Sequence, residues 1–323
     1  MPALPHRPLG SSGIEVSALS LGSWQTFERI SREQGAAVMA GAREHGIDFL
    51  DDARYDDRTG AAPLRTGYSE VVFGELFRAV GWKRHEVVVA NKLWWEFWPG
   101  ESAAQELEGS LGRMGFDYFD LVYAATPPAG LGVSELVRAV GELIASGKLR
   151  GWGVLNWPAG LLLEAVGTAR SEGLPLPCAA QLPYNVVWRS AVEDRETVAA
   201  LEAAGASVVA SAVLAFGALT GKYASSNAAG RIASDLDDPT LKPALQAVGP
   251  LRALAKRLET TPGTLAIAFA LANPRIASVL FGATTPEQVA ENVGAAELTS
   301  RISDAELGEL RRIGDRQQPS EAS

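Results

Sequence analysis

The sequence predicts an α/β fold, a closed (β/α)8 TIM barrel with an N-terminal β-hairpin cap, formed as a single domain over residues 1–323. Eight short apolar runs alternate with longer amphipathic stretches, which favours parallel strands joined by helices. No G-x-G-x-x-G motif follows the first run, so an open dinucleotide-binding sheet loses its main support. A chain of 323 residues with 47% hydrophobic content fits one large barrel or two medium domains, and the regular alternation favours the barrel.

The predicted elements are an N-terminal hairpin, eight strands and eight helices. Residues 5–17 hold Ser11, Ser12 and Gly13 between two strand-like pieces, which predicts a hairpin that caps the bottom of the barrel. The apolar runs predict strands at residues 16–21, 47–50, 87–90, 121–124, 151–155, 179–182, 207–211 and 278–281. The amphipathic stretches predict helices at residues 32–45, 70–80, 103–114, 133–146, 158–171, 195–203 and 245–258. A last helix at 303–314 begins with the capping-box pair Ser303 and Glu306.

Two long connections interrupt this alternation. Residues 56–68 follow the second strand, and residues 222–243 follow the seventh. In a parallel barrel both lie on the C-terminal face, where active sites are built. Long loops in compact domains are usually functional or mobile, so both are expected to border the site. Residues 317–323 are polar and are expected to form a mobile tail.

Composition excludes several classes of function. Lys and Arg total 29 against 38 Asp and Glu, and a net charge of −9 argues against nucleic acid and anionic membranes as partners. The single cysteine, Cys178, cannot form an internal disulfide, and its apolar neighbours indicate core packing. The chain shows neither a signal-peptide pattern nor an apolar run near 18 residues, so we expect a cytoplasmic protein that does not span a membrane.

A carboxylate, a phenol and an ammonium follow the ends of two successive predicted strands. Asp51 and Tyr55 come after the second strand, and Lys92 comes after the third. These are the parts of a proton-donating tyrosine, because lysine favours the phenolate and the carboxylate keeps the lysine charged. Asp51 with Asp52, Asp56 and Asp57 lacks the spacing of a calcium loop, so we predict no metal site.

Three tryptophans follow Lys92 on the same predicted face. Trp94, Trp95 and Trp98 are costly to expose, which favours a substrate cleft over plain packing. The fourth strand ends in Ala125, and no charged or imidazole side chain follows it directly.

Polar groups after the later strands suit an anionic cofactor. Gly282 lets the backbone approach closely, and Thr284 offers a hydroxyl and an N–H group at a helix N-terminus. The same residues would also form an ordinary turn with an N-cap. Asn156 would equally cap a helix, whereas the amide of Gln181 in an apolar run needs partners.

Many short motifs together resemble the aldo-keto reductase family over nearly the whole chain, most closely the branch that contains the potassium-channel beta subunits. Among them are Gly46-Ile47-Asp48-Phe49-Leu50-Asp51, Gly147-Lys148-Leu149-Arg150, Leu219-Thr220-Gly221-Lys222-Tyr223 and Gly282-Ala283-Thr284. The resemblance implies a (β/α)8 reductase that uses NADP(H) on a small-molecule carbonyl substrate. It implies catalytic roles for Asp51, Tyr55 and Lys92. The implied cofactor-binding residues are Trp24, Asn156, Gln181, Leu214, Lys222, Arg231, Gly282, Thr284, Gln288, Glu291 and Asn292.

The chain departs from the family pattern at four places. The tyrosine normally comes five residues after the aspartate, where this chain has Asp56, so Tyr55 is one residue early and Tyr68 is a second candidate. Ala125 stands in the histidine position, and Ser211 stands where an aromatic residue usually stacks on nicotinamide. Phe216 or a loop tryptophan is expected to compensate. Thr285 occupies a place where relatives often carry arginine, so NADPH is favoured over NADH without being fixed.

These observations lead to two hypotheses for an NADP(H)-binding protein, and a barrel of unrelated chemistry is the third. The first is an NADP(H)-dependent oxidoreductase whose pocket, formed by Trp94, Trp95 and Ala125, has room for a bulky or polar substrate such as a keto-sugar. A C=C or C=N bond could also replace the usual C=O. The second is an NADP(H)-binding regulatory or scaffold protein with little turnover, which the missing histidine and stacking aromatic favour. The oligomeric state stays open.

Overall fold

The computed structural model describes residues 4–224, 230, 232, 233 and 235–317. The predicted cofactor residue Arg231 and all of the predicted tail beyond Gln317 lie outside these described residues. No helix in the described part of the chain is long and apolar enough to cross a membrane.

Eight parallel strands close into a barrel, in the spatial order β10-β3-β4-β5-β6-β7-β8-β9. The strands are β3 (Leu19–Gly22), β4 (Phe49–Asp51), β5 (Val88–Leu93), β6 (Phe119–Ala124), β7 (Leu149–Leu155), β8 (Ala179–Pro183), β9 (Ser207–Ser211) and β10 (Ile276–Phe281). A separate antiparallel hairpin joins β1 (His6–Pro8) to β2 (Glu15–Ser17). The predicted (β/α)8 barrel with a hairpin cap is therefore confirmed.

Helices surround the barrel between successive strands. They are α1 (Arg32–Glu44), α2 (Tyr68–Val80), α3 (Ala103–Met114), α4 (Val133–Ala145), α5 (Ala159–Glu172), α6 (Ser190–Glu193), α7 (Arg195–Ala204), α8 (Lys242–Arg257), α9 (Pro262–Leu271), α10 (Pro286–Arg301) and α11 (Asp304–Asp315). Ser303 and Glu306 form the predicted capping box of α11, and Ser31 and Ser102 cap α1 and α3 in the same way. Local sequence signals thus set several helix starts.

The first predicted strand, residues 16–21, contains two elements. β2 ends at Ser17 and β3 begins at Leu19. Between them, the Ala18 N–H donates to the Pro5 carbonyl, and the Ser17 N–H donates to the Asp48 carboxylate. The chain therefore leaves the hairpin and enters the barrel within one residue, and hydropathy alone does not mark that change.

The hairpin closes the bottom of the barrel with apolar side chains. Leu9, Ile14 and Val16 pack with Leu121 and Cys178 in a core cluster that also includes inward-facing barrel residues. Burial raises the pKa of the Cys178 thiol to about 11, so this cysteine serves as a small apolar group.

The strand register brings the functional residues to the opposite rim. Asp51 pairs with Gly22 of β3, and Gln181 pairs with Leu155 of β7. Lys92 pairs with Tyr123 of β6. Because all eight strands are parallel, their carboxyl ends meet at one face, as the sequence predicts.

Candidate active site

Asp51, Lys92 and Tyr55 meet at the C-terminal rim of the barrel. The Lys92 Nζ donates to Asp51 Oδ1 at 2.6 Å and to the Tyr55 hydroxyl oxygen at 3.0 Å. Asp51 and Lys92 are almost fully buried, and the phenol of Tyr55 is half-buried. The three predicted catalytic residues therefore form one hydrogen-bonded unit.

The hydrogen-bonding capacity of the ammonium is used within the protein. The third partner of Lys92 Nζ is the Asp52 carbonyl oxygen at 3.4 Å, and an ammonium has three N–H groups. The other oxygen of Asp51 accepts a hydrogen bond from Gln181 Nε2 at 2.9 Å. Because Lys92 donates to the phenol oxygen, the Tyr55 O–H group points away from Lys92 and can donate to another acceptor.

Burial and the charges of the neighbouring groups together set the protonation of this unit. Burial raises the pKa of Tyr55 above its ordinary value, and the attraction of Lys92 for the phenolate offsets only part of that rise. Burial lowers the pKa of Lys92, but the Asp51 carboxylate and Tyr55 outweigh it, so the net shift is upward. Lys92 does favour the phenolate, as predicted, yet the phenol is neutral and the lysine charged at neutral pH.

A tight turn and the inserted loop together place Tyr55. The Tyr55 N–H donates to the Ala53 carbonyl at 2.8 Å, which folds the chain sharply at Arg54. The inserted loop then returns along itself, with Asp56 bridged to Thr66 and the Gly67 N–H donating to the Tyr55 carbonyl. This turn compensates for the shorter spacing between Asp51 and the phenol.

Tyr68 lies elsewhere. It begins α2, and its hydroxyl accepts a hydrogen bond from Arg32 at 2.9 Å. It is not among the described residues that line the cleft beside Lys92. Geometry thus brings Tyr55, rather than Tyr68, to the ammonium.

A second polar layer supports the site from beneath. Asn91 Oδ1 accepts the Lys92 backbone N–H at 2.6 Å, and Asn91 Nδ2 donates to the fully buried Glu70 at 2.9 Å. Arg113 donates to the other Glu70 oxygen at 2.5 Å. Sequence reasoning missed this role of Asn91, although an amide inside an apolar run is itself a signal.

Asp52 points into that same layer. Its carboxylate is fully buried and accepts a hydrogen bond from the Ser23 hydroxyl. Burial raises the pKa of Asp52 well above its usual range, and the charge of Glu70 adds to that rise. Asp52 and the exposed Asp56 therefore do not converge with Asp51, and the described residues include no group of three His, Cys, Asp or Glu side chains placed to hold a metal ion.

A cleft of about 1880 Å³ opens above the catalytic unit. Small-molecule pockets usually measure about 300–1,000 Å³, so this cleft has room for a dinucleotide and a second molecule. The predicted site residues that line it are Trp24, Asp51, Tyr55, Lys92, Trp94, Asn156, Gln181, Leu214, Lys222, Gly282, Thr284, Gln288, Glu291 and Asn292.

Three residues predicted to line the pocket are placed differently, and one of them, Trp98, packs partly against the core. Trp95 is buried in the core, with 3% of its surface exposed, and its N–H donates to Glu106. Ala125 packs partly against the core, and its N–H donates to the Leu93 carbonyl. Trp95, Trp98 and Ala125 are not among the described residues that line the cleft, and for Trp95 a positive φ turns the side chain into the core. Their predicted pocket role thus has no support from this geometry.

The far end of the cleft contains the N-termini of two helices. α10 is capped by Thr285, whose side chain accepts the Gln288 N–H, so the predicted helix start at Thr284 lies one residue further on. The Thr284 N–H donates to Gln288 Oε1 at 2.8 Å, and Thr261, the N-cap of α9, donates to Glu291 Oε1 at 2.6 Å. Two helix N-termini at one place form a setting for anionic groups.

Lys222 and Arg252 are two of the cationic residues along the cleft. Lys222 is exposed, and Arg252 of α8 donates to the Gly221 carbonyl at 3.3 Å. Both line the cleft. Sequence reasoning missed Arg252, because it belongs to an amphipathic helix where one arginine among others carries no distinguishing signal.

The cleft lining also includes the Asn156 amide and aromatic rings. Asn156 is exposed with φ of 55°, directly after β7. Phe216, also at positive φ, lies edge-on to Trp24 with ring centroids 5.6 Å apart. Ser211 also lines the cleft but has no aromatic ring. Phe216 supplies a ring in the same lining.

Backbone strain gathers on this face. Seven described non-glycine residues have positive φ, and six of them follow β3, β5, β7 or β9: Gln25, Trp95, Asn156, Ala212, Ala215 and Phe216. Such conformations cost about 1–3 kcal/mol each and persist where surrounding structure enforces them. Their concentration at one rim supports a functional surface there.

Comparison with known proteins agrees with this geometry. The profile of the "Aldo/keto reductase family" matches residues 18–315. A protein of Oryza sativa subsp. japonica named "Probable voltage-gated potassium channel subunit beta" is 33% identical, with 96% of each chain covered. A protein of the same name from Arabidopsis thaliana is 31% identical, again with 96% of each chain covered.

Proposed function

Because this chain belongs to the aldo/keto reductase family, we propose that it is an NADP(H)-dependent oxidoreductase. It would transfer hydride between the nicotinamide and a carbonyl or alcohol carbon of a small-molecule substrate. The observation that carries the proposal is the hydrogen-bonded Asp51–Lys92–Tyr55 unit on the floor of a large cleft. A neutral phenol bonded to a fixed ammonium is suited to proton donation.

The residues of the cleft fit an NADP(H) molecule. The helix N-termini at Thr261 and Thr285 and the cations Lys222 and Arg252 supply donors for phosphate groups. Glu291 and Asn292 would contact the adenosine part at the same end. Asn156 and Gln181 would hold the carboxamide of the nicotinamide, close to Tyr55.

When bound, the cofactor supplies the hydride that is added to the substrate carbon. The Tyr55 hydroxyl donates its proton to the substrate oxygen as negative charge develops there. Lys92 then stabilises the resulting phenolate through the hydrogen bond that it already makes to the Tyr55 oxygen. Asp51 keeps Lys92 charged and in place, and Gln181 in turn orients Asp51. Alcohol oxidation uses the same contacts in reverse.

The proposal can be tested with NADPH oxidation across a panel of aldehydes, ketones and keto-sugars, with Tyr55→Phe measured beside the wild type. We expect turnover of at least one carbonyl class by the wild type and its loss in Tyr55→Phe. Tight NADPH binding with full activity of Tyr55→Phe would remove Tyr55 from the proton-donating role.

A second candidate is an NADP(H)-binding regulatory protein with little turnover. Ala125 offers no second hydrogen-bond donor to the substrate oxygen, and both relatives named above are called channel subunits. Comparison of NADPH affinity with single-turnover hydride transfer separates the two functions. Tight binding without transfer to any carbonyl of the panel would favour the regulatory function.

A further inference from the structure

Arg54, the residue directly before Tyr55, has a side chain that is only 3% exposed and is held by two carboxylates. Its NH1 donates to Glu101 at 2.8 Å, and its NH2 donates to Glu106 at 2.9 Å. The two donors of one rigid fork therefore fix the guanidinium in place. Its Nε has no described partner, so these two bonds carry the orientation.

Glu106 connects this arginine to the tryptophan loop. Besides Arg54, its carboxylate accepts the backbone N–H groups of Trp94 at 2.8 Å and Trp95 at 3.1 Å. Two successive N–H groups can converge on one anion only if the backbone curls, and the positive φ of Trp95 provides that curl. Glu106 is 3% exposed on its side chain, so the anion is neutralised by protein groups alone.

The same loop touches Arg54 a second time. The guanidinium lies over the Phe97 ring, with its carbon 5.0 Å from the ring centroid. Trp94, which lines the cleft, lies 6.1 Å from the Tyr55 ring between centroids. Arg54 and Glu106 thus connect the segment that carries the phenol with the segment that carries the aromatic wall.

We propose that the Arg54–Glu106 pair is a positioning device that sets Tyr55 and Trp94 relative to one another, and so makes the early tyrosine usable. This positioning role rests on the proposed function, because the residue that the pair positions is the proposed proton donor, Tyr55. It explains why a buried arginine directly precedes Tyr55, at a position where an apolar residue would cost less to bury. Arg54 and Glu106 do not react; they fix the distance between the proton donor and the wall of the substrate pocket.

Four variants test the device. Arg54→Met removes the guanidinium, and Arg54→Lys keeps the charge but cannot span both carboxylates. Glu106→Gln replaces the carboxylate that accepts the Trp94 and Trp95 backbone N–H groups with a neutral amide. The control is Arg84→Met at the opposite end of the barrel, where Arg84 pairs with the buried Asp120 at 2.7 Å. It loses an arginine–carboxylate pair without touching the cleft.

Two readouts are measured on the full chain. The first is 19F NMR of protein labelled with 3-fluorotyrosine, which gives few signals because the chain has six tyrosines. The Tyr55 signal is assigned with Tyr55→Phe. The second is the single-turnover rate of hydride transfer, measured together with NADPH affinity.

In Arg54→Met the Tyr55 signal should shift and broaden, and hydride transfer should slow by about 10²-fold, the usual effect of misplacing a catalytic group by about 1 Å. NADPH affinity should stay unchanged, and Arg54→Lys and Glu106→Gln should fall between Arg54→Met and the wild type. Arg84→Met should lose stability without either change. If Arg54→Met does not fold, the two milder variants decide by the same criteria.

An unmoved Tyr55 signal, with transfer no slower than in Arg84→Met, would overturn the positioning role. If the wild type itself transfers no hydride, the proposed function fails while the NMR signal still decides on positioning. In that case, a shifted Tyr55 19F signal in Arg54→Met supports the positioning role, and an unshifted signal rejects it.

Discussion

The two ends of the cleft differ in how permanently their polar groups are bonded. At the catalytic end, Asp51 and Lys92 are buried and bonded to one another, to Tyr55 and to Gln181. At the far end, Gln288 and Glu291 are exposed, and their side chains accept hydrogen bonds from Thr284 and Thr261. One end is a closed network, whereas the other consists of exposed pairs that a ligand can replace.

On the proposed function, this difference would separate the residues that determine the rate of hydride transfer from those that determine cofactor affinity. The catalytic network keeps its geometry without a ligand, because leaving any buried member unpaired is costly. On the proposed function, a ligand bound at the far end would replace the internal hydrogen bonds there, so the net gain from each group would be small. Substitutions at the catalytic end should therefore change rate and stability, and those at the far end should change binding.

The largest effect is expected for Lys92→Met. It leaves the buried Asp51 carboxylate without its cation, which typically costs about 3–5 kcal/mol of stability. It also removes the group that stabilises the Tyr55 phenolate, so hydride transfer should fall by about 10²- to 10⁴-fold. Urea unfolding and single-turnover kinetics measure the two effects, and wild-type stability in Lys92→Met would contradict the closed network.

Gln181→Leu should have a smaller effect of the same kind. Asp51 Oδ2 would lose its donor at a cost of about 1–3 kcal/mol of unfolding free energy. Gln181→Glu is the second variant for comparison. It places a second carboxylate against Asp51 and should therefore destabilise the protein more than Gln181→Leu does. Equal stability of the two variants by urea unfolding would show that Gln181 does not orient Asp51.

Alkaline pH should weaken the catalytic end specifically. The folded-state pKa values of Tyr55 and Lys92 lie above their ordinary values of about 10 and 10.4. The folded state therefore holds protons that the unfolded state releases, and the stability from both groups is present below about pH 10 and lost as pH rises above it. Urea unfolding of the wild type against Lys92→Met should show a shallower alkaline loss in the variant, and parallel curves would contradict this assignment.

The smallest effect is expected at the far end. Gln288→Ala should weaken NADPH binding by about 0.5–1.5 kcal/mol and leave the rate of hydride transfer at saturating NADPH unchanged. Fluorescence titration and stopped-flow kinetics measure the two quantities. A slower transfer step at saturation would break the separation between the two ends.

Much of this molecule could be predicted from sequence because its signals are local. Alternating apolar runs predict the barrel, and Asp51 and Lys92 are placed at strand ends that a parallel barrel brings together. α9 escaped prediction because its residues from Gly263 to Leu271 are buried on every side, so it has no polar face and no helical period.

The parts that could not be predicted depend on long-range contacts or on single turns. Arg54 and Glu106 are 52 residues apart, and nothing local marks either as the partner of the other. The choice between Tyr55 and Tyr68 depends on one sharp turn after Ala53. Trp95 follows Trp94 directly, yet a positive φ turns it into the core, which periodicity does not reveal.

The most direct test compares Tyr55→Phe with Tyr68→Phe in single-turnover hydride transfer from saturating NADPH to a carbonyl that the wild type reduces. Both changes remove one hydroxyl, but only Tyr55 bonds to Lys92, whereas Tyr68 bonds to Arg32. We predict that Tyr68→Phe keeps the wild-type rate and that Tyr55→Phe loses about 10²- to 10⁴-fold. Equal rates in the two variants, or loss in Tyr68→Phe alone, would contradict the assignment of Tyr55 as the proton donor.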